Sequence, residues 1–420
     1  MLCLKTVQTL KAVNDDGTEL GTNSVENGTS PVYDGETPTK ESTAQYTYTF
    51  KGWTSDGGTT VYTDELPTGT ENVTYTAVFE ETVNEYTVTW QYDDGTVIDT
   101  ETVAYGETST HADATKEGCT FAGWTPEITA VTGNATYTAV FTYNDGVGRL
   151  AGYTLSLDGD IGLNFYTELA PEIAQSETAV MHFTVSNGSK TTELDIPVSQ
   201  ATVKGNYYIF KCNVAAKDMN AVITGQIIDG DNVGTEYSYS VKDYANYLIE
   251  NADENGTDRQ KEYAAAAPLA AKMLQYGAYA KDYFDKTNTL GNLDDVNINI
   301  ADPVVGEFTD DTTFEGATLS LKSETTLSLY FRSSEPLEFA CAGYDVETIT
   351  SGDYQVARIR GIKAKHIGDI ITLNVNGVTV EYSPLNYCKN VLDSDNQPDS
   401  LKNTVKALYL YWQAADNYFG

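Results

Sequence analysis

Two acidic loops contain the residue types that bind calcium, namely carboxylates separated by a single glycine. They are Asp158-Gly-Asp160 and Asp229-Gly-Asp231-Asn232. The EF-hand pattern also needs an oxygen ligand at its fifth position and a glutamate at its twelfth. Counted from the first aspartate of the second loop, these positions hold Val233 and Ser240. We therefore interpret both loops as turns, with calcium binding as the alternative, and predict neither a metal nor a cofactor.

Histidine and cysteine, the other common ligands and nucleophiles, are scattered. The three histidines (His111, His182 and His366) have no nucleophile or ligand partner close by in the sequence. The five cysteines are too widely spaced for a disulfide framework or a thiolate zinc site; they are Cys3, Cys119, Cys212, Cys341 and Cys388. We expect structural or surface histidines, and cysteines that act as small buried apolar side chains.

Sequence motifs of catalysis are missing. The chain has no Gly-x-Ser-x-Gly elbow, no phosphate-binding glycine loop and no dinucleotide fingerprint. Paired carboxylates of the glycoside-hydrolase kind stay open because acidic residues are abundant. However, the second part of the chain contains a duplication, described below, and no acidic pair lies in an aromatic-rich strand end that both of its copies share. The sequence therefore favours a non-catalytic protein.

Tyrosine is the residue type that favours binding. The chain has 30 tyrosines, and many of them fall between residues 207 and 283. A tyrosine offers a rigid apolar face together with a hydroxyl group, which suits the recognition of proteins or carbohydrates. The alternative is that these residues only fill strand and helix boundaries. We name as the candidate ligand face Tyr207, Tyr208, Tyr237, Tyr239 and Tyr244.

The composition indicates the elements that must position these side chains. A chain of 420 residues is too long for one core, and about three or four domains are expected. Abundant threonine, tyrosine, valine and glycine favour strands joined by tight turns. The net charge of −36 repels nucleic acid and anionic lipid, and keeps an exposed protein soluble.

The first third of the chain is duplicated. Thr49-Phe-Lys-Gly-Trp-Thr54 and Thr74-Tyr-Thr-Ala-Val-Phe79 recur as Thr120-Phe-Ala-Gly-Trp-Thr125 and Thr136-Tyr-Thr-Ala-Val-Phe141. An Asp-Asp-Gly-Thr turn precedes each pair. We predict small β modules at residues 7–81 and 85–142. Modules of this size bury little surface, so the expected core anchors are their large aromatics: Trp53 and Phe79 in the first, and Trp124 and Phe141 in the second.

These motifs resemble the Listeria–Bacteroides repeat, the β-grasp-like B repeat of internalin-type surface proteins. The resemblance covers residues 7–142, and the first copy departs from it by an insertion between Trp53 and Tyr75. It implies a spacer or adhesion role in an exported, multi-domain protein of a Gram-positive, gut-type bacterium. The family pattern carries no catalytic residue.

A second duplication lies downstream. Gly152 to Tyr166 matches Gly316 to Tyr330 at seven of fifteen positions, and each copy continues into helices. Ser240 and Ser383 are expected helix N-caps. The predicted copies span residues 150–286 and 314–420, with an acidic linker between them. They are similar to uncharacterised tandem modules of the same surface proteins.

The expected fold class is mainly β with α+β: two small β-grasp-like repeats, then two duplicated β-sandwich or sheet modules that each end in a helical hairpin. No run of about 18 apolar residues predicts a membrane span, and Met1 to Thr6 has no secretion signal. We expect a fragment of a longer exported polypeptide, extracellular or wall-associated. Its partner would be a host or cell-surface protein or glycan, such as a glycoprotein or an immunoglobulin. The alternatives are an accessory region of an extracellular carbohydrate-active or proteolytic enzyme, and a pure spacer.

Overall fold

The computed structural model describes residues 6–157, 160–309, 311–321 and 324–420. Cys3, the first two residues of the Asp158 loop and the Lys322-Ser323 pair lie outside the described residues. The chain is mainly β, as predicted, and divides into two compact units, Met1–Thr142 and Tyr143–Gly420. Each unit contains two of the four predicted modules, and the finer division into four stays a prediction.

The first unit consists of two four-stranded sheets with the same strand order. The order is β2-β1-β4-β3 in the first sheet and β6-β5-β8-β7 in the second. In both sheets the two central strands run parallel. The strands are β1 (Val7–Val13), β2 (Glu19–Glu26), β3 (Tyr46–Thr54), β4 (Val73–Val83), β5 (Glu85–Gln91), β6 (Val97–Ala104), β7 (Cys119–Thr125) and β8 (Ala135–Tyr143).

Each of these sheets has its own hydrophobic core, and the two cores use different aromatics. In the first sheet Trp53 is buried (7% exposed) beside Tyr75. In the second sheet Trp90 fills the centre at 0% exposure, and Trp124 packs edge-on against it from a half-buried position, with ring centroids 4.8 Å apart.

The two predicted phenylalanine anchors lie outside the buried centres. Phe79 packs half-buried against the first core. Phe141 is half-buried and contacts Phe121 and Tyr92, with ring centroids 5.9 Å and 6.3 Å away. Trp90, which occupies the strand position of Ala12, is the anchor that the sequence interpretation missed.

The glycine before each repeat tryptophan has a different role in the two sheets. A glycine before each tryptophan predicts the close approach of a neighbouring strand or ring. At Gly52 (φ +152°) a Cβ atom would lie 2.4 Å from the Tyr62 carbonyl oxygen, so the prediction is confirmed. That carbonyl accepts a hydrogen bond of 3.0 Å from the Trp53 amide, which fastens the insertion of the first repeat to β3. At Gly123 (φ +132°) nothing lies within 4 Å, and only the backbone conformation requires glycine.

In its described residues, the second unit contains the remaining strands and five α-helices. The strands of its first half are β9 (Gly148–Ser156), β10 (Gly162–Leu169), β11 (Val180–Ser186), β12 (Thr191–Pro197), β13 (Thr202–Lys204), β14 (Tyr207–Asn213), β15 (Val222–Asp229), β16 (Asn232–Val233) and β17 (Tyr237–Tyr239). Those of its second half are β18 (Val304–Val305), β19 (Thr313–Leu321), β20 (Thr325–Arg332), β21 (Phe339–Cys341), β22 (Val346–Ser351), β23 (Tyr354–Ile359), β24 (Ile371–Val375) and β25 (Val378–Tyr382). The helices are α1 (Pro171–Ala174), α2 (Val241–Glu250), α3 (Asp258–Phe284), α4 (Pro384–Asp393) and α5 (Asp399–Phe419).

The two halves of the second unit share one framework. The sheet order β9-β10-β14-β13 of the first half recurs as β19-β20-β23-β22 in the second. The amide of Val214 donates to the Ile161 carbonyl (2.8 Å), and the amide of Ile362 donates to the Thr325 carbonyl (3.2 Å) at the equivalent place. In both halves a short 3₁₀ helix follows, Ala216–Asp218 and Ala364–His366. One extra residue, Gly361, precedes the second of these.

The helices of the two halves also correspond. Ser240 caps α2 and Ser383 caps α4, as predicted, and Pro384 occupies the first turn of α4, a position that favours proline. The proline after the alanine run 264–267 predicts either a helix start or a kink at Pro268. The start is wrong, because α3 begins ten residues earlier at Asp258. Thr257 and Gln260 form a capping box there, and the helix continues through Pro268, whose side is exposed.

A single hydrophobic core extends through both halves of the second unit, from Val147 to Ala415. Helices α3 and α5 pack against each other, and the rings of Tyr276 and Tyr411 stack at 5.8 Å. The Thr404 hydroxyl donates to the Tyr279 carbonyl across this contact (3.0 Å). The acidic linker packs along α5, where Lys406 pairs with Asp295 at 2.7 Å. The duplicated segments therefore fold as one body.

Candidate functional site

Five tyrosines form a continuous chain of ring contacts in the first half of the second unit. Tyr153 stacks on Tyr239, with centroids 5.0 Å apart and planes at 14°. Tyr239 then contacts Tyr244 at 6.1 Å, Tyr244 contacts Tyr247 at 6.3 Å, and Tyr247 contacts Tyr263 at 6.0 Å. We call these five residues the tyrosine row.

The row crosses three consecutive elements of the chain and one strand, β9, that is far from them in sequence. Tyr153 lies on β9 and Tyr239 on β17, and each of these strands is at the edge of its sheet. Tyr244 and Tyr247 are three residues apart on α2, so they share one face of that helix. Tyr263 is on the first turns of α3. The row therefore runs along the edge of both sheets and over the helical hairpin.

Burial differs among the members of the row: Tyr153, Tyr239 and Tyr263 are half-buried, and the two tyrosines of α2 are the extremes. Tyr244 is 8% exposed and belongs to the core, whereas Tyr247 is 47% exposed. Burial raises the pKa of Tyr153 to about 12 and also raises the pKa values of Tyr239 and Tyr244. Because their phenols stay protonated at neutral pH, they remain hydrogen-bond donors. The exposed ring of Tyr247 thus contacts the buried Tyr244 and the half-buried Tyr263.

The structure brings together only two of the five tyrosines that we predicted as a ligand face, Tyr239 and Tyr244. Tyr207 and Tyr208 lie on β14, which is separated by β10 from the β9 edge of the same sheet, and there Tyr207 contacts Tyr166 at 6.1 Å. Tyr237 lines a small cavity of about 10 Å³. The predicted set therefore does not form one surface.

Three members of the row were missing from the predicted set: Tyr153, Tyr247 and Tyr263. Alignment of the two halves could have found the first two. Tyr153 aligns with Ala317 and Tyr247 with Asn390. Because the same framework folds with those residues in the second half, the fold does not require tyrosine at either position.

A polar cavity of about 580 Å³ in the second half is a weaker candidate. Its lining includes Glu324 and Arg360, and the guanidinium donates to one Glu324 carboxylate oxygen at 2.8 Å and 3.1 Å. In the first half Asn213 donates to Asp160 (3.1 Å) at the equivalent positions. Because both halves have a polar pair at this place, the pair is part of the shared framework. It therefore does not indicate a ligand site.

The histidines and acidic loops have structural contacts. His111 packs against Trp90, His182 pairs with Asp195 at 2.6 Å, and His366 pairs with Asp369 at 2.6 Å. The Asp229 carboxylate accepts hydrogen bonds from the Ser176 and Thr178 hydroxyls, at 3.0 Å and 2.6 Å. Within the described residues, no three His, Cys, Asp or Glu side chains are grouped so as to hold a metal ion.

The described cysteines fall into two groups by burial. Cys212 and Cys388 are buried, and burial raises the pKa of each to about 12. Cys119 and Cys341 are half-buried. The expectation of buried apolar cysteines is therefore confirmed for the first pair only.

No protein-family model matches the chain, and no curated protein matches it. Among the helices of the described residues, none is both long enough and apolar enough to span a lipid bilayer.

Proposed function

We propose that the chain is a non-catalytic binding protein of a bacterial cell surface. Its first unit would act as a stalk, and its second unit would carry the recognition surface. The tyrosine row is the observation that supports this proposal. It occupies one half of a duplicated framework, and the other half folds with Ala317 and Asn390 at two of its positions. Rigid aromatic rings with hydroxyl groups are the side chains that most often anchor protein and glycan ligands.

The connection between the two sheets of the first unit supports the stalk. A single residue, Asn84, separates β4 from β5. Its side-chain amide donates to the carbonyls of Thr43 (2.8 Å) and Ala44 (3.1 Å), and its Oδ1 atom accepts from the Thr47 hydroxyl (2.7 Å). The Tyr86 hydroxyl also donates to the Ala44 carbonyl (2.6 Å). A joint with this many hydrogen bonds resists bending, which suits a spacer.

The resemblance to the Listeria–Bacteroides repeat adds the finer architecture and the location to the proposal. Two sheets with the same order and a parallel central pair agree with β-grasp-like repeats. We accordingly propose that the protein is exported and is part of a longer surface polypeptide, whose ligand is a host glycoprotein, an immunoglobulin or a glycan.

The test is a binding screen of the full chain against a glycan array and a panel of host glycoproteins and immunoglobulins. A hit should weaken at least about tenfold in Tyr247→Ala, since truncation of a binding anchor costs about 2 kcal/mol. Tyr418→Ala is the matched control, because Tyr418 is a comparably exposed tyrosine on α5 (41% exposed). Equal losses in both variants, or no ligand for the folded chain, would refute the recognition role and leave a spacer.

A region accessory to a secreted enzyme is the other alternative. A hydrolase domain in the same reading frame, found by sequencing the gene beyond this chain, would favour it. In that case the row should bind the substrate of that hydrolase, and Tyr247→Ala should reduce activity on the polymeric substrate but not on a small soluble one.

A further inference from the structure

A groove of about 280 Å³ lies in the first half of the second unit, between α3 and the 3₁₀ helix Ala216–Asp218. Its floor is apolar and includes Met219, Leu274 and Gly277. At Gly277 a Cβ atom would lie 2.7 Å from Met219 Sδ and 2.8 Å from the Ala216 carbonyl oxygen, so only glycine lets these elements approach this closely. None of the groove residues belongs to the tyrosine row.

The second half fills the corresponding place with its own side chain. Along the paired helices Tyr276 aligns with Tyr411, so Gly277 aligns with Trp412. The indole of Trp412 lies directly over Gly368, where a Cβ atom would be 2.2 Å from Trp412 Cζ2. Gly368 aligns with Asn220, which lines the groove. In the second half the indole of Trp412 covers Gly368. In the first half the aligned residues, Gly277 and Asn220, are two walls of an open groove.

Three lysines surround this groove in a chain of net charge −36. Lys281 and Lys217 share the carboxylate of Asp285, at 2.6 Å and 3.6 Å. Lys242 is exposed and forms no ion pair with any residue that the structure describes. The rim therefore has an excess of positive charge. The second half differs, since Lys365, Leu385 and Asp416 align with the three lysines and leave its rim neutral.

We infer that this groove is a binding site for a planar aromatic acid. The apolar floor fits a flat ring system of the size of an indole, as Trp412 illustrates in the sister half. The lysine rim fits one carboxylate or sulfonate on that ring, because charge-assisted hydrogen bonds to ammonium groups favour an anion there. Small-molecule sites commonly combine such an apolar cleft with a few charged groups. This site is separate from the proposed recognition surface and does not depend on it.

The probe for the test is indole-3-acetate, and its neutral analogue indole-3-ethanol is the control ligand. We expect indole-3-acetate to bind the full chain in a calorimetric titration. Indole-3-ethanol should bind at least about tenfold more weakly, because it cannot form a charge-assisted hydrogen bond to the lysines. The double variant Lys242→Gln/Lys281→Gln should lose that difference. Equal binding of the two ligands to the unaltered chain, or no binding of either, would overturn the inference.

A second variant locates the site. Gly277→Trp combined with Asn220→Gly and Met219→Ile copies the arrangement of the second half into the first, and we expect it to abolish binding. Should it not fold, as judged by circular dichroism, Ala278→Trp at the exposed edge of the groove is the replacement. Trp412→Gly opens the corresponding space in the second half, but the rim of that space is neutral. We therefore expect this variant to bind the same number of indole-3-acetate molecules as the unaltered chain. Unaltered binding after the groove is filled would place the site elsewhere and overturn the inference.

Discussion

The two duplications of this chain have different outcomes. The repeats of the first unit keep separate cores, one around Trp53 and one around Trp90, and are joined through Asn84. The halves of the second unit share one core, with α3 against α5. The difference follows from the helices, because an exposed apolar helix face must be buried against something. Each sheet of the first unit closes on its own loops and aromatics instead.

Merging the cores allows the two copies to specialise. Either half of the second unit can lose a packing residue while its partner supports the fold. Gly277 stands where the second half has Trp412, and Ala317 stands where the first half has Tyr153. The separate repeats have less freedom, and each must keep a large buried aromatic of its own. Both candidate sites therefore lie in the merged unit.

The largest effect is expected for Tyr276→Ala at the centre of the α3–α5 contact. Tyr276 is buried and stacks on Tyr411, so its truncation should cost about 4 kcal/mol of unfolding free energy. Because the core is shared, both halves should unfold together. Urea unfolding of the protein containing fluorotryptophan, with the ¹⁹F signal of Trp412 as the readout, checks this from the half that is not mutated.

The control for that experiment is Tyr418→Ala, an exposed position that should change stability by less than about 0.5 kcal/mol. A Trp412 signal that keeps its original midpoint in Tyr276→Ala would contradict the shared core. The two halves would then be independent domains, as the sequence alone predicted.

Trp90→Ala should have the next largest effect on stability, and here only one of the two repeats should unfold. Trp90 is completely buried, and its loss should destabilise the second repeat by about 3 kcal/mol. The first repeat should stay folded, because its core contains none of the same residues. Amide spectra recorded along a urea titration distinguish the two repeats. Simultaneous loss of the β1–β4 amides would show that the repeats fold as one unit after all.

Asn84→Ala should destabilise the protein less than Trp90→Ala does. Its main effect should be to loosen the connection between the two repeats. Loss of its side-chain hydrogen bonds should cost about 1 kcal/mol. Residual dipolar couplings should then report different alignment tensors for the two repeats. Asn72→Ala is the matched control, since Asn72 accepts a hydrogen bond from the Thr9 amide (2.8 Å) within the first repeat alone. A common tensor in Asn84→Ala would mean that other contacts keep the joint rigid.

Local signals predicted the elements of this fold well. The Asp-Asp-Gly turns form as expected, and the carboxylates of Asp16 and Asp94 accept hydrogen bonds of 2.8 Å from the amides of Thr18 and Thr96. Such turns depend on residues that are adjacent in sequence, so a sequence pattern is sufficient. The N-caps at Ser240 and Ser383 are of the same kind.

The candidate sites could not be predicted in this way, because they depend on long-range packing. The tyrosine row joins β9, β17, α2 and α3, whereas sequence proximity grouped Tyr207 and Tyr208 with residues of a different sheet. The choice between Trp90 and Trp124 as the buried centre likewise depends on which strand lies in the middle. The lysine groove is recognisable only after Gly277 and Trp412 are aligned in space.

The smallest effect on stability is expected for Asp145→Asn. This variant tests whether the two halves of the second unit lose stability together as the pH falls. The Asp145 carboxylate accepts hydrogen bonds from the amides of Val147 (2.9 Å), Gly148 (3.0 Å) and Thr235 (2.8 Å). Burial alone would raise its pKa, but these donors stabilise the charged form more, so its pKa is lower than usual. The ionised carboxylate therefore stabilises the folded state at neutral pH.

A lowered pKa means that this stabilisation is fully present above about pH 4, the usual pKa of an unfolded aspartate, and is lost as the pH falls through the lower value of the folded state. The melting temperature of Asp145→Asn should thus be about 2 °C below that of the unaltered chain at pH 7, and the gap should narrow below pH 4. The Trp412 signal in the other half should show the same gap if the halves share one core. A difference in melting temperature that stays constant down to pH 2 would contradict the role of the carboxylate. A difference confined to the first half would contradict the merged core.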